Sequence, residues 1–374
     1  MSSEGDSSCG RLSKCTEFTV FPPSIKLIMA VLPFYDEIYT PARKHNKDPN
    51  FVGMLGSPTS MITTVDHGSH QFRRGILSSF FSKRSIRDIS PLIKSNVQRL
   101  MERLLEYYQT DTEVDLSAAF AALPADIITT YTYGESSDFL EDESFHSEVR
   151  NDIMETKRLD HTSRLFPVVL TVIRHVPKRV AEESAKALRM TESSKEVRTM
   201  FDSLTDPKLP ACERTMPRIH DEGMILLSGG TEPTANALTV AAFHIINQKG
   251  ILTIIRAEAR ANGLGDVKKA SLAELEQLPY LTAVVNEAVR LSHGLSICSP
   301  GIAPTEALTY KGYFIPAGTL VGMSSYFVHM DASIFPHPAS FNPNRWIEAS
   351  EPAVKTFVVA YHHLSSMQPR LVGS

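Results

Sequence analysis

Cysteine is scarce in this 374-residue chain. Only Cys9, Cys15, Cys212 and Cys298 occur, too few and too scattered for a disulfide framework, and no two share the CxxC spacing of a zinc or redox motif. A reducing compartment follows by default. Several sequence signatures are also absent: GxGxxG, GxxxxGK[ST], GxSxG and HExxH do not occur, which sets aside the dinucleotide, phosphate-loop, serine-hydrolase and zinc-protease classes they mark. The formal net charge of -4 provides no basic field for nucleic acid. The N-terminus has no basic start followed by an apolar run, and the apolar stretch 24–32 is short and contains Lys26. Neither a signal peptide nor a membrane-spanning helix is expected, which leaves the cytoplasm as the default location. His67 and His70 could share a helical face, but no carboxylate or cysteine ligand is evident beside them, so no metal site is predicted.

What is present is an ordinary globular composition, 42% hydrophobic and 21% charged, in a chain long enough to bury a sizeable core. Residues 1–33 are polar and then marked by Pro22, Pro23 and Pro33, and read as a poorly ordered or atypical leader. From about Ser85 to Gln109, Ile86, Ile89, Ile93, Val97, Leu100, Leu104 and Leu105 fall at helical spacing and predict one or two amphipathic helices. Residues 217–248 are apolar on nearly every side and predict a central helix. Ser271 and Glu274 form a capping-box spacing, and Pro279 starts a helix with Leu281, Val284, Val285, Ala288 and Val289 on one face. Beyond Thr305, β-branched and aromatic residues punctuated by Gly312 and Pro316-Ala317-Gly318 predict short strands with tight turns. The fold class is therefore mainly α with a small β region, built as one domain over residues 34–350, with 351–374 as a tail.

Three motifs carry the chemistry. Glu287-x-x-Arg290 puts a carboxylate and a guanidinium on one helix face, a spacing that usually gives a surface ion pair; a second ExxR, Glu155 and Arg158, shows how easily it arises. Upstream lies Gly229-Gly230-Thr231-Glu232-Pro233-Thr234 on the central helix, and downstream Phe341-Asn342-Pro343-Asn344-Arg345-Trp346. The order of the three resembles that of the cytochromes P450. Asp66-His67-Gly68-Ser69-His70-Gln71-Phe72-Arg73-Arg74 and the following LSSFFSKRSI resemble the haem-propionate helix of fungal members, with His70 and Arg74 at the WxxxR spacing. The chain is identified as a partial cytochrome P450-like domain, and the resemblance covers roughly residues 34–350.

The resemblance implies a haem-dependent monooxygenase of fungal secondary metabolism that oxidises an apolar small molecule, with electrons from NADPH–cytochrome P450 reductase and, for the family, an endoplasmic reticulum location. Arg74, with His67 or His70, would hold the haem propionates. Glu287, Arg290 and Arg345 would form a buried structural triad. Glu232 would be the proton-handling acid; the adjacent threonine position is Pro233, leaving Thr234, one residue on, as the candidate hydroxyl. The basic run Lys83, Arg84 and Arg87 would face the reductase. Two departures stand out. Gly301 occupies a strand position where the family usually carries a propionate-binding basic residue. After Trp346 the family's cysteine-ligand loop is not found, and no cysteine follows Cys298; Cys212 and Cys298 lack that loop's context, the family's first strands are not evident, and family character stops abruptly, as a frameshift or retained intron would produce. A chain without the thiolate would be inactive. A nonfunctional remnant and a non-enzymatic helical small-molecule-binding protein are the alternatives.

Overall fold

The computed structural model describes residues 19–21, 26–29, 44–53, 57–78, 80–145, 200–266, 269–294, 300–310 and 312–348. Cys9, Cys15, Cys298, the pair Glu155 and Arg158, and the tail 351–374 lie outside the described residues.

The central helix forms where its pattern places it. We label the helices in chain order: α1 Pro49–Gly53, α2 His67–Ser78, α3 Lys83–Asp88, α4 Ser90–Gln109, α5 Leu116–Tyr133, α6 Met200–Leu204, α7 Met216–Asn247, α8 Lys249–Ala261, α9 Leu272–Glu276, α10 Pro279–Leu291, α11 Ser325–His329 and α12 Asn344–Glu348. The central helix is α7, and it runs unbroken through Pro233. It packs most extensively on α5, whose buried Ala118, Ala119, Ala121, Ala122 and Ala125 present little side-chain bulk. Gly230 makes the approach close, since a Cβ there would come to 3.2 Å from the Ile128 side chain. A bend of 101° separates α7 from α8. Among the described residues, no single helix is long and apolar enough to cross a membrane.

The amphipathic stretch from Ser85 resolves into α3 and α4. Ser82 caps α3 by accepting from Ser85 N–H, and Pro91 stands in the first turn of α4, where its missing N–H costs nothing. The Ser271/Glu274 capping box closes at α9, and Pro279 opens α10. The buried face of α10 differs from its apolar pattern: Tyr280, Ala283, Val284, Glu287, Ala288 and Arg290 are buried, while Val285 is 52% exposed. Two charged residues occupy core positions there, so a pattern read from apolar residues alone is rotated away from the real interior.

The strands are β1 Thr19–Phe21, β2 Lys26–Met29, β3 Asn46–Lys47, β4 Gly301–Ile302, β5 Leu308–Tyr310, β6 Tyr313–Ile315 and β7 Leu320–Met323. Five form one sheet in the order β1-β2-β7-β4-β3, and β5 and β6 form a hairpin. Gly312, at φ 84°, closes that hairpin, and Gly318, at φ 80°, leads into β7; both need the left-handed backbone that glycine adopts without a Cβ penalty. The first two strands lie inside the stretch 1–33 that reads as irregular: β1 pairs antiparallel with β2, and β2 pairs parallel with β7. Strands this short, separated by Pro22 and Pro23, leave no alternation to read.

Candidate functional site

The polar core is built around one carboxylate. Arg290 donates to Glu287 through Nε at 2.9 Å and through Nη2 at 2.8 Å, and Arg345 Nε donates to Glu287 Oε1 at 3.0 Å. Asn342 N–H and Trp346 Nε1 complete the shell, each at 2.9 Å. Glu287 and Arg290 are fully buried. The remaining guanidinium protons of Arg290 reach the carbonyls of His329, Pro338 and Ser340, and those of Arg345 reach Pro336, His337 and Ser340. Burial alone would push the Glu287 carboxyl up, but hydrogen bonds from Arg290 and Asn342 and the charges of both arginines outweigh it and hold the group below the usual carboxylate range. These donors fix the 336–346 segment against α10.

The second cluster belongs to α2. Asp66 begins the helix by accepting from Ser69 N–H at 2.8 Å, an N-terminal cap, and Asn46 Oδ1 accepts from His67 N–H at 3.0 Å. His70 and Arg74 stand one turn apart on α2. They lie near enough to each other and to Lys47 that the charges interact: burial lowers the His70 pKa to about 3, with Lys47, Arg74 and His67 adding to the effect. Burial also lowers Lys47 to about 7, Arg74 lowers it further, and Glu222 opposes both. Several bases gathered in a partly desolvated place suit an anion with more than one carboxylate.

Sequence reasoning did not find Lys47, nor the ion network that holds α2 in place. Arg73, the neighbour of the predicted Arg74, donates to Glu213 through Nε at 2.9 Å and through Nη2 at 3.0 Å, and through Nη1 to Thr64 Oγ1 at 2.8 Å. Glu213 also accepts from Arg218 at 3.3 Å, and Arg218 pairs with Glu222. Glu222 Oε2 takes Met61 N–H at 2.9 Å, and Asp221 takes both the N–H and the hydroxyl of Thr59. The start of α7 is thereby stitched to the 57–65 loop and to α2. One signal was available: Arg218 and Glu222 are an i,i+4 pair inside an apolar helix.

On α7, Gly229 and Pro233 share one face, and Gly230 and Thr234 share the next. A Cβ at Gly229 would meet nothing within 4 Å, whereas Gly230 faces Ile128. Thr234 is exposed, Glu232 is half-buried, and the Thr231 hydroxyl is buried with no hydrogen-bond partner. Arg84 and Arg87 are exposed on α3. Cys212 is free and exposed in the single turn Ala211–Glu213 ahead of α7. Among the described residues no cluster of histidine, cysteine and acidic groups could hold a metal ion.

A mainly helical fold with a central helix against α5, a buried carboxylate clamped by two arginines, and a cationic helix beside a small sheet defines the class. The cytochrome P450 family matches residues 45–363, and the chain belongs to that family. It is 42% identical over 335 residues to conidiogenone synthase PchP450 of Penicillium rubens, covering 84% of this chain and 67% of that protein. It is 39% identical over 341 residues to cytochrome P450 monooxygenase TRI4 of Trichoderma arundinaceum, covering 86% and 66%. Cytochrome P450 monooxygenase claJ of Penicillium crustosum is 38% identical over 342 residues, covering 85% and 78%. The chain thus spans about two thirds of the length of the first two. The family is haem-dependent and takes its electrons from a redox partner. The donors His70, Arg74 and Lys47 fit the propionate end of a haem.

Proposed function

We propose that this chain carries the framework of a haem-dependent monooxygenase that oxidises an apolar small molecule in fungal secondary metabolism. The observation that carries the reading is the pair His70 and Arg74, set one turn apart on α2 and interacting electrostatically, in a family member whose triad is closed. When bound through a cysteine thiolate, haem supplies the family's oxygen-activating chemistry. The chain's own groups bind and orient. Arg74 offers a planar fork to a propionate, His67 or His70 adds a second donor, and the Arg73–Glu213 pair holds their helix in register. Glu287, Arg290 and Arg345 lock the core and touch no substrate. We assign proton handling to Glu232 and, past Pro233, to Thr234. The exposed Arg84 and Arg87 on α3 are the proposed docking charges for NADPH–cytochrome P450 reductase.

Cys212 is exposed in the turn Ala211–Glu213, away from any thiolate-loop motif, so we propose that these 374 residues by themselves bind haem without thiolate ligation and do not oxidise substrate. The test is to load the purified chain with haem, reduce it under carbon monoxide, and incubate it with the reductase, NADPH and a panel of apolar small molecules. Haem uptake without the red-shifted ferrous thiolate–carbon monoxide band, and without product, is expected. That band, or a product, would give the ligand to one of the four cysteines. Failure to take up haem would remove the haem reading altogether.

A further inference from the structure

We propose that Lys47 is the strand-borne cation of the propionate site, supplying from β3 the charge that the family's basic strand residue supplies where this chain has Gly301. The inference rests on the haem reading above. Its first support is register: Lys47 and Gly301 are direct partners across the antiparallel pair of β3 and β4. Directly opposed residues in such a pair project from the same face of the sheet, so the Lys47 side chain leaves on the face that a side chain at 301 would use. A Cβ at Gly301 would meet nothing closer than Asn46 O at 3.8 Å, so the glycine is not enforced by crowding.

The second support is where the strand takes the ammonium. Lys47 N–H donates to Val65 O at 3.0 Å, and its neighbour Asn46 binds the first turn of α2, so β3 is tied to the helix that bears His70 and Arg74. Lys47 Nζ donates to Ile62 O at 2.6 Å and to Met61 O at 3.4 Å, two contacts for an ammonium with three protons. Electrostatics agree with this placement. The ammonium is desolvated and within reach of the Arg74 charge, which together outweigh the opposing pull of Glu222, whose Oε2 is taken by Arg218 and Met61 N–H. Gathering bases in a desolvated place costs free energy that an incoming carboxylate offsets.

The test titrates ferric haem, and ferric haem dimethyl ester whose propionates carry no charge, into the full chain and its variants, reading the Soret band and the thermal melt. Lys47→Gln keeps a neutral donor for Ile62 O. It is expected to weaken haem binding about tenfold, the scale of one charge-assisted hydrogen bond, and to leave binding of the ester unchanged. Lys47→Arg, and Gly301→Arg added to Lys47→Gln, are expected to restore haem affinity, the latter by returning a cation from the neighbouring strand. Equal haem affinity in the wild type and Lys47→Gln, an equal loss for haem and ester, or no recovery in the double variant would overturn the inference and leave the haem reading intact. No haem uptake by the wild-type chain would overturn that reading and this inference with it.

Discussion

Arg345 Nε lies 3.0 Å from Glu287 Oε1 and joins positions 58 residues apart in the chain. With Arg290 donating to both carboxylate oxygens, it turns a costly buried charge into the tie between α10 and the 336–346 segment. Breaking such a group by removing one member is far worse than never having built it, because the survivors remain charged and buried. Arg345→Ala and Glu287→Gln are each expected to lower unfolding stability by about 3–5 kcal/mol, with Glu287→Gln the worse because it strands two guanidinium groups. Urea denaturation of the purified variants measures this. A loss under about 1 kcal/mol, typical of an exposed pair, would show that the triad is not a buried unit.

His329 gives the fold an acid dependence. Burial, together with the charges of Arg290 and His293, lowers its imidazole pKa from 6.5 to about 4. In that interval the unfolded chain binds a proton that the folded one refuses, so the His329 contribution is fully present above pH 6.5 and is lost as pH falls through about 4. His329→Leu is expected to retain more of its neutral-pH stability at pH about 5 than the wild type retains. Urea midpoints for both proteins at the two pH values decide it, and identical fractional losses would refute the assignment.

Two glycines on α7 separate packing from openness. A Cβ at Gly223 would strike the Tyr133 hydroxyl and approach the Phe201 ring, while one at Gly229 would meet nothing within 4 Å. Gly223→Ala is expected to cost about 1–3 kcal/mol through overpacking. Gly229→Ala is expected to be neutral or to stabilise by up to about 1 kcal/mol through helix propensity. Thermal melts of the pair test this, and the opposite order would mean that α7 sits differently against α5 and α6.

The sequence showed most clearly what depends on local spacing. The central helix, the Ser271/Glu274 capping box and the Pro279 start are short-range patterns with a physical reading, and the motif order around Glu287 was legible as a resemblance to the family. Val285 misled because Glu287 and Arg290 take interior positions that an apolar pattern cannot mark. The Arg73–Glu213–Arg218 network was hidden because its members meet only once the 57–65 loop, the turn at 211–213 and α7 come together. Lys47 was hidden for a similar reason: a two-residue strand has no period, and its relation to Gly301 is a matter of register between segments some 250 residues apart. Of the candidate site, Arg74 and His70 were legible as a spacing on a helix, whereas the cations and acids that surround them were not.

The most direct test of the central claim, that α2 holds the propionates of a haem inside a triad-locked fold, is an equilibrium titration of ferric haem into the wild-type chain and into Arg74→Ala, with the melting temperature of each recorded. The wild type is expected to saturate at a single haem per chain, and Arg74→Ala to bind about tenfold more weakly or worse with little change in melting, since a bidentate charge-assisted contact is lost from a side chain outside the core. Equal affinities in the two proteins, or no saturable uptake by the wild type, would contradict it.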